Sequence, residues 1–200
     1  MIAAALAGLV TGLSLIVAIG AQNAYVLRQG LRRSYVGPVV VLCTVSDVVL
    51  IVAGISGIGA IVAHASWVLT LVRWLGVAFL VWYAVLSLRR ASSHESLHAD
   101  GSTAESRRSV LGRAAALTWL NPHVYLDTVL LLGSIGNTHG STGRWWFAVG
   151  AGIASALWFS GLGFGARLAA PLLARPRAWQ VLDVLVAVTM LYVAAKLALG

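Results

Sequence analysis

Residues 36–62 read VGPVVVLCTVSDVVLIVAGISGIGAIV, a long apolar run with one charged residue, Asp47, near its middle. About 20 mostly apolar residues are enough for an α-helix to cross a bilayer. Five more runs of this kind lie at 4–27, 67–88, 111–136, 145–166 and 178–199. The sequence therefore predicts an all-α, polytopic membrane protein built from six hydrophobic helices.

The composition indicates the same class. Of the 200 residues, 60% are hydrophobic and 10% are charged, whereas soluble domains have about 25% charged residues. A soluble globule of this size could not bury so much apolar surface, which excludes a water-soluble enzyme. Cys43 is the only cysteine, so an intrachain disulfide and paired-thiol redox chemistry are excluded. We expect a protein that is not an enzyme and needs no cofactor.

The positive charges predict a topology. The formal net charge is +8, and eleven of the 14 Lys and Arg residues follow run 1, flank the linker between runs 3 and 4, or separate runs 5 and 6. The positive-inside rule makes these regions cytoplasmic and places the C-terminus outside. If Gln22 and Asn23 make run 1 re-entrant, five crossings remain. The basic residues are topological signals, and no nucleic-acid partner is expected.

The chain divides into two similar halves. We predict a three-helix repeat at 1–90, a cytoplasmic linker at 91–110 and a second three-helix repeat at 111–200, within one membrane domain. Three matches occur in the same order in both halves: Asn23 with Asn121, residues 56–59 (SGIG) with 160–163 (SGLG), and Trp82 with Tyr192. Because three is odd, the second copy inserts upside down, as in inverted-repeat transporters.

Two glycine pairs are spaced for close helix packing. Gly8 with Gly12, and Gly161 with Gly165, fit the small-xxx-small pattern that lets membrane helices approach each other closely. We expect both pairs to lie at contacts between helices.

Charged residues within the runs are candidates for function, because a charge at the bilayer centre costs about 2.5–3.5 kcal/mol on insertion scales. Asp47 and Asp127 lie deep in runs 2 and 4, and Arg73 lies inside run 3. Either the carboxylates pair with Arg73 and fix the helix packing, or they face a polar cavity and bind a cation or a proton. Both interpretations are true if Arg73 is a counter-ion that the substrate displaces. Asp183, near the start of run 6, is interpreted as interfacial.

Helix-breaking residues lie beside two asparagines. Gly20 precedes Asn23 by three residues, and Pro122 follows Asn121, so run 4 is predicted to kink or break near 117–121. Backbone groups freed at membrane depth are tolerated against protein or a water-filled cavity, and transporters build substrate sites in this way. Tyr125 lies one helical turn after Asn121. We predict one mid-membrane site for substrate and proton coupling, with Arg73 near Asp47, formed by Gln22, Asn23, Asp47, Arg73, Asn121, Tyr125 and Asp127.

The linker contains a motif that matches a zinc-binding pattern. His94-Glu95-Ser96-Leu97-His98 fits HExxH, which binds zinc when both histidines share one helical face. Here the motif lies in a Ser-rich linker, outside the apolar runs and without an evident third ligand. We interpret these histidines as solvated loop residues and expect no metal centre.

Several segments resemble one family of membrane proteins. Residues 19–30 (IGAQNAYVLRQG) resemble the first-helix signature of the LysE/ArgO family of basic amino acid exporters, and residues 118–127 (TWLNPHVYLD) resemble its fourth helix. Ser46-Asp47, Arg73-Trp74, residues 142–145 (TGRW) and Lys196 also match. The chain departs from the family pattern at Ala21, where the family usually has proline, so the break in run 1 is expected to be milder.

The resemblance implies a multi-pass exporter of L-lysine, L-arginine or both, located in the cytoplasmic (inner) membrane and energised by the proton-motive force. Its partners would be the amino acid, protons and the lipid bilayer, and a homo-oligomer is left open. Export of divalent cations or neutral amino acids, known in the wider superfamily, is the alternative. A third alternative is a membrane scaffold or enzyme subunit that transports nothing, but this gives no reason for two deep carboxylates beside broken helices.

Overall fold

A computed structural model describes residues 1–17, 21–57, 66–92, 105–121, 124–168 and 176–199. Within these ranges the chain is helical almost throughout and contains no β-strand. This confirms the predicted all-α class. The predicted helix-breaking residues Gly20 and Pro122 lie outside the described residues, as do the HExxH motif and most of the linker.

The described residues of the first half form α1 (Ile2–Ile16), α2 (Ala21–Arg32), α3 (Val36–Ile55) and α4 (Ser66–Ser92). Run 1 is therefore not one helix, and α1 and α2 meet at an angle of 84°. Tyr35, the residue before α3, has a φ of 51°. This left-handed conformation is uncommon for a non-glycine residue and reverses the chain between α2 and α3.

In the part of the second half that the structure describes, the α-helices are α5 (Arg107–Trp119), α6 (Gly133–Asn137), α7 (Gly140–Gly165) and α8 (Pro176–Leu199), and a π-helix, π1 (Tyr125–Leu132), lies between α5 and α6. The Ser106 side chain caps α5 by accepting a hydrogen bond from the backbone N–H of Ser109. Run 4 is thus divided among α5, π1 and α6. A π-helix is rare in proteins and is frequently found at functional sites.

Two described helices are long and apolar enough to cross a membrane, Val36–Ile55 and the 29-residue helix Gly140–Leu168. The pair of α1 and α2 passes the same test as one broken span and would make a third. The orientation of the side chains on α3 is typical of a membrane helix. Its polar residues Ser46 and Asp47 are buried, whereas Val41 is 60% exposed, the reverse of a helix in a soluble protein.

The helix α7 is the centre of the bundle, since α1, α2 and α3 all pack along it. A Cβ atom at Gly8 would meet the Phe147 carbonyl group, and one at Gly150 would meet the carbonyl group of Ala5. The α1 and α7 backbones therefore touch, and the predicted packing role of the first glycine pair is confirmed. A second contact of this kind joins Gly54 of α3 to Gly133 at the start of α6.

The prediction for Gly161 and Gly165 is wrong. No heavy atom lies within 4 Å of the position that a Cβ would take at either residue in the described part of the chain. Gly163, between them, is the glycine that packs, because its face of α7 meets Val36 and Val40 of α3. The small-xxx-small spacing occurs on both faces of α7, and the spacing alone does not identify the packed one.

Candidate functional site

A cavity of about 320 Å³ lies inside the bundle, between α1, α2, α3, π1, α7 and α8. We call it the central cavity. Its volume is at the lower end of the range for small-molecule sites, roughly 300–1,000 Å³, so it suits one small ligand. Most of its wall is apolar, and the polar and charged residues on it are Gln22, Asn23, Asp47, Asn121, Asp127, Thr128, Ser155, Tyr192 and Lys196.

Asp47 is on the part of the wall that α3 contributes. Its residue surface is 7% exposed, and its Oδ2 accepts a hydrogen bond of 2.8 Å from the Ser155 hydroxyl of α7. Since α3 is apolar along most of its length, this carboxylate is surrounded by hydrophobic helix except on the cavity side. A cation that enters the cavity would be attracted by it.

Asn23 is at the start of α2 and connects three elements. Its Nδ2 donates to the Ile16 carbonyl group at the end of α1, at 2.7 Å. Its Oδ1 accepts from the Trp158 indole N–H of α7, at 3.2 Å. The asparagine thus satisfies a backbone carbonyl that the end of α1 leaves open, as a helix end buried in a bundle requires.

Gln22 is buried beside Asn23 on the same wall. Its Nε2 makes no hydrogen bond within the described residues and lies beside the Cys43 thiol, which is a weak acceptor. An amide N–H₂ group left in this state costs free energy. A carboxylate or carbonyl oxygen of a ligand would satisfy it.

The second broken segment supplies Asn121, just after α5, and Asp127, in the first turn of π1. The end of α5 is held by two hydrogen bonds. The Trp119 indole N–H donates to the Ser46 hydroxyl of α3 at 3.1 Å, and the Tyr125 hydroxyl donates to the Trp119 carbonyl group at 2.8 Å. Asp127 lines the same cavity as Asp47 but belongs to a different segment of the chain, π1, which packs against α3.

Two predicted site residues are elsewhere. Tyr125 is not on the wall, because α5 ends at Trp119 and the one-turn spacing from Asn121 therefore does not put both on one helical face. Arg73 is not on the wall either, and its Nη2 donates to the Ala198 carbonyl group near the end of α8, at 2.8 Å. Basic side chains commonly bond to the last carbonyl groups of a helix. Arg73 therefore binds the end of α8, whereas Asp47 bonds to Ser155.

Below the cavity, on the side predicted to be cytoplasmic, α2 is tied to both halves of the chain. Arg28 and Asp183 form an ion pair of 3.0 Å whose side chains are 2% and 6% exposed. Asp183 is therefore buried among the helices, and its position near the membrane interface stays a prediction. Asp183 lies near the start of α8, and α2 packs against that end of the helix.

Further interactions surround this ion pair. Glu105 lies 2.7 Å from Arg113 and 3.9 Å from Arg32. Burial alone would raise the pKa of Glu105, but the hydrogen bond and charge of Arg113 hold the pKa below its usual value. The Tyr25 hydroxyl donates to the Val110 carbonyl group of α5, at 3.0 Å. The bundle is thus closed on this side by α2, α5 and α8.

The sequence analysis missed Lys196 and Ser155 as wall residues. Lys196 could have been found by the rule that singled out Asp47 and Asp127, since it is a charge inside an apolar run. Ser155 gives no such signal, because small polar residues are common in membrane helices. Within the described residues, no group of three or more His, Cys, Asp or Glu side chains could hold a metal ion.

A helical bundle with an apolar exterior and a small, charged central cavity defines a membrane transporter. The family model of the LysE type translocators matches residues 13–200. The arginine exporter protein ArgO of Enterobacter sp. (strain 638) is 44% identical over 192 residues, or 96% of this chain and 91% of the relative. ArgO of Salmonella schwarzengrund (strain CVM19633) is 43% identical with the same coverage.

A Mycobacterium bovis protein, named as a candidate amino-acid transporter, is 48% identical over 183 residues, or 91% of this chain and 90% of the relative. No solved structure matches the chain. The chain belongs to the LysE type translocator family. It is a membrane transporter and not an enzyme, which confirms the family and the class predicted from the sequence.

Proposed function

We propose that the protein is a secondary-active exporter of cationic L-amino acids, L-arginine, L-lysine or both, across the cytoplasmic membrane, driven by the proton-motive force. The observation that carries this proposal is that Asp47 and Asp127, from different halves of the chain, line one cavity in an otherwise apolar bundle. The relatives named as arginine exporters support the same substrate class.

The chemistry of the wall suits a cationic amino acid. Two carboxylates provide acceptors for an ammonium or guanidinium group, and charge-assisted hydrogen bonds of this kind are roughly twice as strong as neutral ones. The amides of Gln22 and Asn121 add neutral donors and acceptors. A neutral amino acid brings one positive group fewer to these two carboxylates, so the wall favours a cationic substrate.

Export of a cation needs an energy source. Moving one positive charge outward against an inside-negative potential costs about 2.3 kcal/mol per 100 mV. A uniporter would therefore accumulate arginine inside the cell. A proton that moves inward cancels the charge of the outgoing substrate, and its carrier must be a group that the substrate also engages. We assign this role to Asp47 first and to Asp127 second.

We further propose six membrane crossings arranged as two inverted repeats, 1–90 and 111–200, joined by the 91–110 linker. The packing of the described helices supports this arrangement. The broken pair α1 and α2 of the first half packs on α7 of the second half. The broken segment α5–π1–α6 of the second half packs on α3, which is the helix of the first half that corresponds to α7. The remaining helices α4 and α8 pack against each other, as a pseudo-two-fold axis requires.

The proposal is tested by transport in proteoliposomes that are acid inside, with labelled L-arginine outside. The wild-type protein is expected to accumulate arginine while the lumen becomes more alkaline, as reported by a trapped pH dye. Asp47→Asn should reduce proton-coupled accumulation to the level of empty vesicles, because the amide carries no proton. Glu105→Gln makes the same chemical change outside the cavity and should transport as the wild type does.

Three outcomes contradict the proposal. If the wild type moves no cationic amino acid under any gradient, the substrate class is wrong. If arginine moves but the lumen pH does not follow, the coupling is wrong. If Asp47→Asn still accumulates arginine at the wild-type rate, Asp47 has only a structural role.

A further inference from the structure

Lys196 is the one basic side chain among the described residues that line the central cavity. It lies in the last turn of α8, one turn after Tyr192 and Val193, which line the same wall. Its residue surface is exposed, so Lys196 lies at the open edge of the cavity, whereas Asp47 is buried.

The charges on the wall complement those of a whole amino acid. The described wall carries two negative groups, Asp47 and Asp127, and one positive group, Lys196. A cationic amino acid carries two positive groups, its α-ammonium and its side-chain cation, and one negative group, its α-carboxylate. We infer that Lys196 binds the α-carboxylate of the substrate, an inference that rests on the proposed function, while the two aspartates bind the positive groups.

This assignment makes Lys196 a specificity-determining residue. Its ammonium group donates up to three hydrogen bonds, and a carboxylate accepts them. A diamine or a decarboxylated amino acid fits the aspartates equally well but brings no carboxylate. Such a ligand would leave Lys196 facing additional positive charge, which is how a site rejects a wrong ligand. The protein would then export cationic amino acids, and the related polyamines would stay inside the cell.

A structural role for Lys196 makes a different prediction. A lysine in the last turn of a helix stabilises that helix through the macrodipole. If this were its only role, replacement would lower the thermal stability of the protein and weaken the binding of all ligands alike. Discrimination between ligands with and without a carboxylate therefore separates the two roles.

The test is competition for binding to the full-length protein in lipid nanodiscs, with labelled L-arginine as the probe. The competitors are L-arginine, L-arginine amide, whose carboxylate is neutralised, and agmatine, which has none. The wild type is expected to bind L-arginine about 10- to 100-fold more tightly than either analogue, the range for one hydrogen bond to a charged group. In Lys196→Gln this ratio should fall to about 1–3, mainly through weaker arginine binding. Lys196→Arg, which keeps the charge, should retain most of it.

Each outcome decides the matter. If the wild type binds all three ligands equally, Lys196 does not read the carboxylate, although the exporter proposal stands. If Lys196→Gln melts earlier but keeps the wild-type ratio, its role is structural and the inference is overturned. If Lys196→Gln does not fold, the same ligand series is measured on Lys196→Met, and the wild type is compared with Lys196→Arg. If the wild type binds neither arginine nor lysine, the proposed function itself fails.

Discussion

Asp183 neutralises the guanidinium group of Arg28 at a place where both side chains are almost completely buried. Removing one partner of a buried ion pair costs about 3–5 kcal/mol, because the other charge remains without compensation. Replacing both partners by apolar residues of similar size is often close to neutral. The pair is therefore expected to hold α2 against α8 and to tolerate loss of both charges better than loss of one.

We predict that Asp183→Asn lowers the melting temperature of the detergent-solubilised protein by several degrees, because it leaves Arg28 buried and unpaired. The double variant Arg28→Met/Asp183→Leu should recover most of the loss. Glu105→Gln is the control, because its ion pairs are partly exposed and surface pairs contribute about 0–1 kcal/mol. An unchanged melting temperature in Asp183→Asn would contradict the importance of the pair.

Some site residues could be recognised from the sequence and others could not. Asp47 and Asp127 stand out because a carboxylate in an apolar run has no explanation in terms of packing alone. The ion pair of Asp183 could not be predicted, because distance from the start of a run measures depth in the bilayer and not burial by other helices. Arg73 was assigned to Asp47 by opposite charge, but its hydrogen bond goes to a backbone carbonyl group of α8, which no charge pattern reveals.

At the scale of helices, glycines that touch the facing backbone fix the distance between α1 and α7. Gly150 faces the backbone of α1, whereas Gly161, on the same helix, faces open space. We predict that Gly150→Val separates the two helices and destabilises the protein by about 1–3 kcal/mol, the typical cost of overpacking. Gly161→Val is the matched control, since it brings the same β-branched side chain into α7 without a clash.

The measurement is the fraction of monodisperse protein in size-exclusion chromatography and its half-life on heating. Gly150→Val should reduce both, and Gly161→Val should match the wild type. Equal behaviour of the two variants would show that the backbones of α1 and α7 are not in contact in the membrane.

Helices are predictable from apolar runs, but their interruptions are less so. Each of the six predicted apolar runs overlaps described helices, because a bilayer demands length and apolarity, and two of these helices are long and apolar enough to cross it. Hydropathy did not predict the π-helix at Tyr125–Leu132, because it does not distinguish one backbone hydrogen-bond pattern from another. The end of α5 at Trp119 falls within the region where Pro122 predicts a break, since proline acts on the backbone of the preceding turn.

At the scale of the whole molecule, the charge distribution predicts how the protein lies in the membrane. We expect a fluorescent protein inserted within residues 93–104 to fluoresce, because the arginines that flank the linker keep it in the cytoplasm. Alkaline phosphatase fused after Gly200 should be active, because this enzyme needs the oxidising side. A fluorescent fusion after Gly200 with inactive phosphatase would place the C-terminus in the cytoplasm and require an even number of crossings after the linker, which contradicts the predicted three.

The ion pair between Arg28 and Asp183 also affects how the protein is made. A ribosome synthesises the N-terminal residues first, so Arg28 enters the membrane region long before Asp183 exists. An arginine buried in protein without a counter-charge is costly, and contact with water on the predicted cytoplasmic side avoids that cost. The helix α2 therefore reaches its final position only after α8 has been inserted. The segment that enters the membrane first is completed last, and chains released before the sixth helix would carry an unpaired arginine as a mark of incomplete synthesis.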